Sequence, residues 1–132
     1  MKYLLDTDTC IYAIKGDENI LRHVLEHHPD EIGVSVITEA ELRTGAAKSS
    51  SKAKTLRRVE RFLSPIHVLE FTSHDAVTYA DLRAKLERKG TPIGPHDMLI
   101  ASQAFRRGVT VVTNNEREFR RVRALRIANW SR

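Results

Sequence analysis

GTPIGPHDMLIASQAFRRGVTVVTNN, residues 90–115, decides how the rest of the chain reads. Its middle has the spacing of an apolar helix and ends near Gly108, a residue suited to stopping one. VTVVT at 109–113 then runs β-branched and apolar without alternation, the pattern of a strand buried on both faces. Such strands belong to parallel sheets covered by helices on either side. The same stretch places an acid, Asp97, in the first turn of a helix that is otherwise fit for a core. A carboxylate there suits the helix dipole. With Pro95 limiting the backbone and Gly94 allowing a tight turn, it can also be aimed at a crevice.

The pattern repeats on the way to the N-terminus. KYLLD (2–6) reads as a first strand, EIGVSVI as a second near 32–36, HVLEF as a third, and RIANW as a last short one. Between them lie helical spacings. TCIYAIKG is followed by ENILRHVLEHH, in which Ile20, Leu21, Val24 and Leu25 share a face. Thr38 stands as an N-cap with Glu41 three residues on, a capping-box spacing. KSSSKAK reads as a polar connector and TLRRVERFLSP as an amphipathic helix stopped at Pro65. SHDAVTYADLRAKLERKG takes Ser73 as cap, with Ala76, Tyr79, Ala80, Leu82 and Leu86 near one stripe. Strands alternating with helices predict one α/β domain over residues 1–132 with a mainly parallel sheet.

The 132 residues are enough for a real core; 41% are hydrophobic and 30% charged, the balance of a globular chain. No apolar run approaches the roughly 20 residues of a membrane span, and the apolar start is too short for a signal peptide, so a cytoplasmic protein with no membrane contact is expected. The single cysteine, Cys10, excludes an internal disulfide and reads as a buried small residue. A net charge of +5 favours polyanionic partners. Much of it falls late, at Arg106, Arg107, Arg117, Arg120, Arg121, Arg123 and Arg126. That crowding is either a solvated face or a grip on phosphates.

In open parallel sheets the binding crevice lies beyond the carboxyl ends of the strands. Asp6 closes the first strand, Glu41 follows the second by a helical turn, Asp97 opens the helix before VTVVT, and Asn115 follows that strand with Glu118 three residues on. Each has a structural explanation by itself, as a cap or a dipole partner, and Asp8 is another possible cap. Three carboxylates on one edge would repel one another without a cation. Oxygen donors of this kind suit Mg²⁺ or Mn²⁺. A basic chain with an acidic metal cluster points to a phosphodiester substrate, where a metal offsets phosphate charge and activates water.

With LLDTDTCIYAIKG, VSVITEAELRTGA, GTPIGPHDMLIASQA and VVTNNEREFRRV in this order over nearly the whole chain, the sequence resembles the VapC-type toxins, PIN-domain ribonucleases of bacterial toxin–antitoxin pairs. The resemblance implies a PIN-like three-layer α/β/α sandwich and Mg²⁺- or Mn²⁺-dependent endonucleolytic cleavage of RNA. It also implies a cognate VapB-type antitoxin, a homodimer, and operator DNA contacted through the antitoxin complex. Asp6, Glu41 and Asp97 match the family's first three acids. Asn115 stands where many PIN domains carry aspartate, which leaves a polar contact to Asn115 and a second-site role to Glu118. Asp8 replaces a common asparagine. Thr7 and Thr113 read as hydroxyls that orient carboxylates or water, and Arg117, Arg120 and Arg121 as RNA contacts. GTPxGPxD with VVTNNxREF resembles the members that cut tRNA, the initiator tRNA in its anticodon loop. His96 reads as a loop or RNA-contacting residue and His27-His28 as a surface helix end. The helices around CIYAIKG and ILRHVLEHH are either core or a seat for an amphipathic partner segment.

Two rivals have sequence features of their own. LLDTDTC also fits the DxDx[TV] pattern of haloacid-dehalogenase-type phosphatases, with Asp6 as nucleophile and Asp8 as general acid, but VVTNNEREF offers amides where that family needs an acidic pair. A non-enzymatic basic RNA-binding module would make every acid a cap.

Overall fold

A computed structural model describes residues 1–132. Five strands form one sheet: β1 (Tyr3–Leu5), β2 (Ile32–Ser35), β3 (His67–Leu69), β4 (Thr110–Val112) and β5 (Ile127–Ala128). Their order is β3-β2-β1-β4-β5 and every pairing is parallel, so the sheet is wholly rather than mainly parallel. Seven helices cover it: α1 (Thr7–Ile14), α2 (Glu18–Glu26), α3 (Val36–Lys48), α4 (Lys52–Leu63), α5 (Ser73–Arg88), α6 (Pro95–Arg107) and α7 (Glu116–Phe119). A single 3-10 turn, Pro29–Glu31, leads into β2.

Side chains alternate across a strand, so a strand that is apolar at every position feeds two cores. Leu4 and Val111 join Ile100, Ala101, Ala104, Leu82, Leu86 and Phe119 under α5 and α6. Their neighbours Leu5 and Val112 join Cys10, Ile20, Val34, Val59 and Trp130 on the other face. This is the predicted three-layer α/β/α sandwich. Cys10 is fully buried, and burial, followed by the charge of Asp6, pushes its thiol pKa up, so it packs as a small apolar group. No helix is long and apolar enough to cross a membrane.

Several local expectations change. Val36 and Ile37 extend the β-branched run of β2 but already lie in α3, because Ser35 turns the chain and its hydroxyl accepts from the Ile37 N–H at 3.0 Å. Thr38 is therefore a buried residue of the first turn of α3, not its cap, and no capping box with Glu41 forms. In α5 the cap is Thr72 rather than Ser73, closed by a reciprocal bond with Asp75. The buried stripe of α5 is Asp75, Leu82 and Leu86, while Ala76 and Ala80 are exposed. Asp75 is fully buried and its pKa is lowered, since the bonds from Thr72 and Arg106 outweigh the burial that pushes it up. Leu25 leaves the apolar face of α2 and is 84% exposed. The connector between α3 and α4 shrinks to residues 49–51. Of the pair read as a surface helix end, His28 is exposed, while His27, with His23 one turn before it, is not a loose surface ring. His27 and His23 stack near-parallel on Trp130 at 5.2 and 5.3 Å, and Tyr3 leans on the same indole at 5.0 Å.

Candidate active site

β1 has β2 on one side and β4 on the other, so strand order reverses beside it, and a crevice opens beyond the carboxyl ends of such strands. The backbone N–H of Asp6, the first residue after β1, donates to Val112 O at 3.0 Å and fastens the crevice floor to β4. Asp6 also caps α1: its carboxylate accepts from the Thr9 N–H at 3.0 Å. At 2% exposure, burial pushes its pKa up, while bonds from Thr113 and Thr9 pull it partly back.

Asp97 enters from α6. Gly94 is the helix N-cap and offers no side chain to bond, Pro95 fills the first position, and Asp97 lies in the first turn. Burial, then the charge of Asp6, push the Asp97 carboxyl up to about 6; Glu118 and Asp8 push the same way, and Asn115 opposes them. Those causes are the physical sign that acids of three stretches, the start of α1, α6 and α7, meet in one field.

The Asn115 amide links two of them, donating to Asp97 Oδ2 at 3.4 Å and to Glu118 Oε2 at 2.5 Å. Asn115 is itself placed by its own N–H, which donates to Thr113 Oγ1 at 2.8 Å just past β4. Short α7 then returns Glu118 to the cluster while Phe119 enters the core.

Glu41 reaches the crevice from α3 and is gripped on both oxygens. Thr7 Oγ1 donates to Oε1 at 2.6 Å, and His96 Nδ1 donates to Oε2 at 3.0 Å. Thr38 Oγ1 lies 3.1 Å from the Thr7 hydroxyl. Three helices are thus joined through one carboxylate. His96 sits in the first turn of α6, not in a loop, and its bond to Glu41 was not anticipated; its place one residue before Asp97 was the only available signal.

The cleft between these groups has a volume of about 260 Å³ and is lined by Thr7, Asp8, Glu41, Gly94, Pro95, His96 and Asp97, none of them hydrophobic. As the side chains stand, no three His, Cys, Asp or Glu residues close into a cage able to grip a metal ion. Glu41 is held by Thr7 and His96, and Glu118 by Asn115. In donor type and charge the set still fits a hard divalent cation: all oxygens, with one carboxyl already lifted by its neighbours' charge.

Of the arginines expected to meet RNA, Arg117 is exposed on α7 and Arg120 is tied to Glu116 at 3.0 Å. Arg121 donates to Pro92 O at 2.6 Å and lies 3.9 Å from Glu118. It therefore braces the loop that leads into α6.

The sequence profile of the PIN domain matches residues 3–125. The chain is 42% identical over 130 residues to the tRNA(fMet)-specific endonuclease VapC of Salmonella typhimurium, covering 98% of each. It is 40% identical over 131 residues to the enzyme of the same description from Shigella flexneri, covering 99% of each. Its fold superposes with a TM-score of 0.93 on a chain in the crystal structure of DNA-bound VapBC from Salmonella typhimurium, at 43% identity and 98% coverage of both chains.

Proposed function

This chain belongs to the PIN-domain family, among its VapC ribonucleases, and from that premise we propose that it is the toxin of a VapBC pair, a single PIN domain over residues 1–132 that cuts tRNA with Mg²⁺ or Mn²⁺. What supports the metal and its place is the meeting of acids around Asp97: the Asn115 amide links it to Glu118, and burial with the charges of Asp6, Glu118 and Asp8 pushes its carboxyl up. Carboxylates that repel one another at the switch point of a parallel sheet make a site for a cation.

Asp6, Asp97 and Glu41 are the residues that would hold the ion, with Glu118 as a further acid. A divalent ion bound there supplies a water of lowered pKa and offsets the charge of the phosphodiester. The chain's own groups do the rest. Asp6 is immobilised by Thr9 and Thr113, and Asp97 and Glu118 are spaced by the Asn115 amide. Thr7 and His96 fix the direction of Glu41. Exposed Asp8 adds charge at the rim, and Arg117 stands free to meet the polyanion.

Initiator tRNA is the substrate we infer, supported by the description of relatives at 42% and 40% identity over nearly the whole chain. A VapB-type antitoxin is the inferred partner, and operator DNA the inferred ligand of the pair, supported by the neighbouring DNA-bound VapBC complex; a homodimer, with the operator contact running through the antitoxin, is inferred from the family alone. The cytoplasm is the compartment where these partners meet. The phosphatase alternative gives way to the family match, which is to the PIN domain over residues 3–125.

The test is cleavage of a total tRNA pool by wild type and Asp97→Asn, with Mg²⁺, with Mn²⁺ and with EDTA, followed by sequencing of the ends. One dominant cut that needs metal and vanishes in the variant supports the reading. Equal cutting in EDTA, or by the variant, removes it.

A further inference from the structure

A second groove shares no lining residue with the acidic cleft. It has a volume of about 390 Å³ and runs between the C-terminal half of α5 and residues 121–124, over the outer face of α6. That volume is in the range that accepts a small organic group, roughly 300–1,000 Å³. Its floor includes Leu82 and Phe105, and its walls carry Lys85, Lys89, Arg121 and Arg123, with no carboxylate among the lining residues. Phe105 is 40% exposed, although Met98, Ile100, Ala101 and Ala104 of the same helix are core. Lys85 is shared with Asp81 at 3.1 Å and Arg121 approaches Glu118 at 3.9 Å, which leaves Lys89 and Arg123 as cations without an acidic neighbour.

One residue ties the groove to the acidic cluster. Arg121 lines the groove, donates to Pro92 O ahead of α6, and faces Glu118 of the acidic cluster. A polyanion that passes Glu118 comes next to Arg121, which shares the groove with the two unpaired cations and an aromatic face. Cations that follow a backbone, together with an open aromatic ring on which a base can lie, are the elements of a nucleic-acid track. An acidic peptide would use the charges but has no need of the ring.

We propose that this groove holds a nucleotide of the RNA substrate outside the cleft, with Lys89 and Arg123 on phosphates and Phe105 under a base. The inference rests on the ribonuclease reading and names where such a substrate is anchored. It makes the protein's preference for a folded RNA depend on a surface that takes no part in the chemistry.

The experiment is filter binding of a total tRNA pool across a salt series, in EDTA so that no strand is cut, with cleavage of the same pool in Mg²⁺ measured beside it. Lys89→Ala/Arg123→Ala replaces two exposed side chains, and thermal melts check that it stays folded. The expected result is a weaker affinity and a slope of log affinity against log salt reduced by about 2, one for each phosphate contact. Phe105→Ala is expected to weaken binding by about tenfold with the slope unchanged, because stacking releases no counterions. If wild type cleaves while the double variant keeps both affinity and slope, the groove is overturned and the nuclease reading stands. If the variants weaken binding but no cleavage occurs under any metal, the groove stands and the nuclease reading falls. If wild type binds no RNA at low salt, both fall. If RNA binding is unchanged and light scattering shows a lost oligomer or a lost small protein partner, the groove is a protein interface and the proposal is overturned.

Discussion

Asp97→Asn is expected to make the metal-free protein more stable. Burial, then Asp6, push the Asp97 carboxyl from its ordinary 3.8 to about 6. A folded pKa above the unfolded one means that ionisation opposes folding. The favourable state is complete below the ordinary value and is lost as pH rises through about 6. About two pH units correspond to roughly 3 kcal/mol at full strength. Asp97 is only half-buried, so solvent screening reduces this to about 1–2 kcal/mol. Asparagine keeps the shape and stays neutral, and removes the cost at neutral pH. For a chain of this size that is a rise of about 3–8 °C in Tm. The assay is thermal melting by circular dichroism in EDTA at several pH values, repeated with Mg²⁺. The gap between variant and wild type should be widest near pH 7–8 and close towards pH 4, and Mg²⁺ should raise the wild type more than the variant. A variant less stable than wild type by the same amount at every pH would refute the reasoning, since Asp97 would then be a plain helix-terminus acid.

Asp6→Asn and Asp6→Ala should both lose metal-dependent cleavage, but Asn keeps an acceptor for the Thr9 N–H while Ala forfeits the cap at about 1 kcal/mol, readable in urea midpoints. Arg106→Ala strands the fully buried carboxylate of Asp75 and should cost about 3 kcal/mol near neutrality in the same assay. Because the Asp75 pKa is lowered, part of the wild type's advantage is present above the ordinary carboxylate value and fades as pH falls. Gly108→Ala should cost about 1 kcal/mol by thermal melting, since Gly108 closes α6 at φ +65°, where a Cβ is strained.

What was legible in the sequence follows from periodicity. Unbroken apolar runs at Leu4-Leu5 and Val111-Val112 announce strands that feed two cores, and Asp97 stands out because nothing in a core helix calls for it. The misread positions are those where local preference yields to the tertiary path. Val36 and Ile37 favour a strand by branching at Cβ, yet the sheet must end where α3 has to fold back, and Ser35 supplies the cap that turns it. Leu25 fits the helical period but its turn of α2 overhangs the core. The grip on Glu41 joins residues 34 and 55 positions away, Thr7 and His96, and no spacing rule reaches that far.

Trp130 is the only tryptophan in the chain, stacked against the rings of His23 and His27 and 4% exposed. Its fluorescence therefore arises from one known place. That emission shifts to longer wavelength when water reaches the indole. The protein thus carries its own optical label at the β5 edge, built from α2, Tyr3 and Trp130 rather than from the acidic crevice. Loosening of that edge can be timed by emission alone, with no dye attached and no carboxylate of the crevice altered.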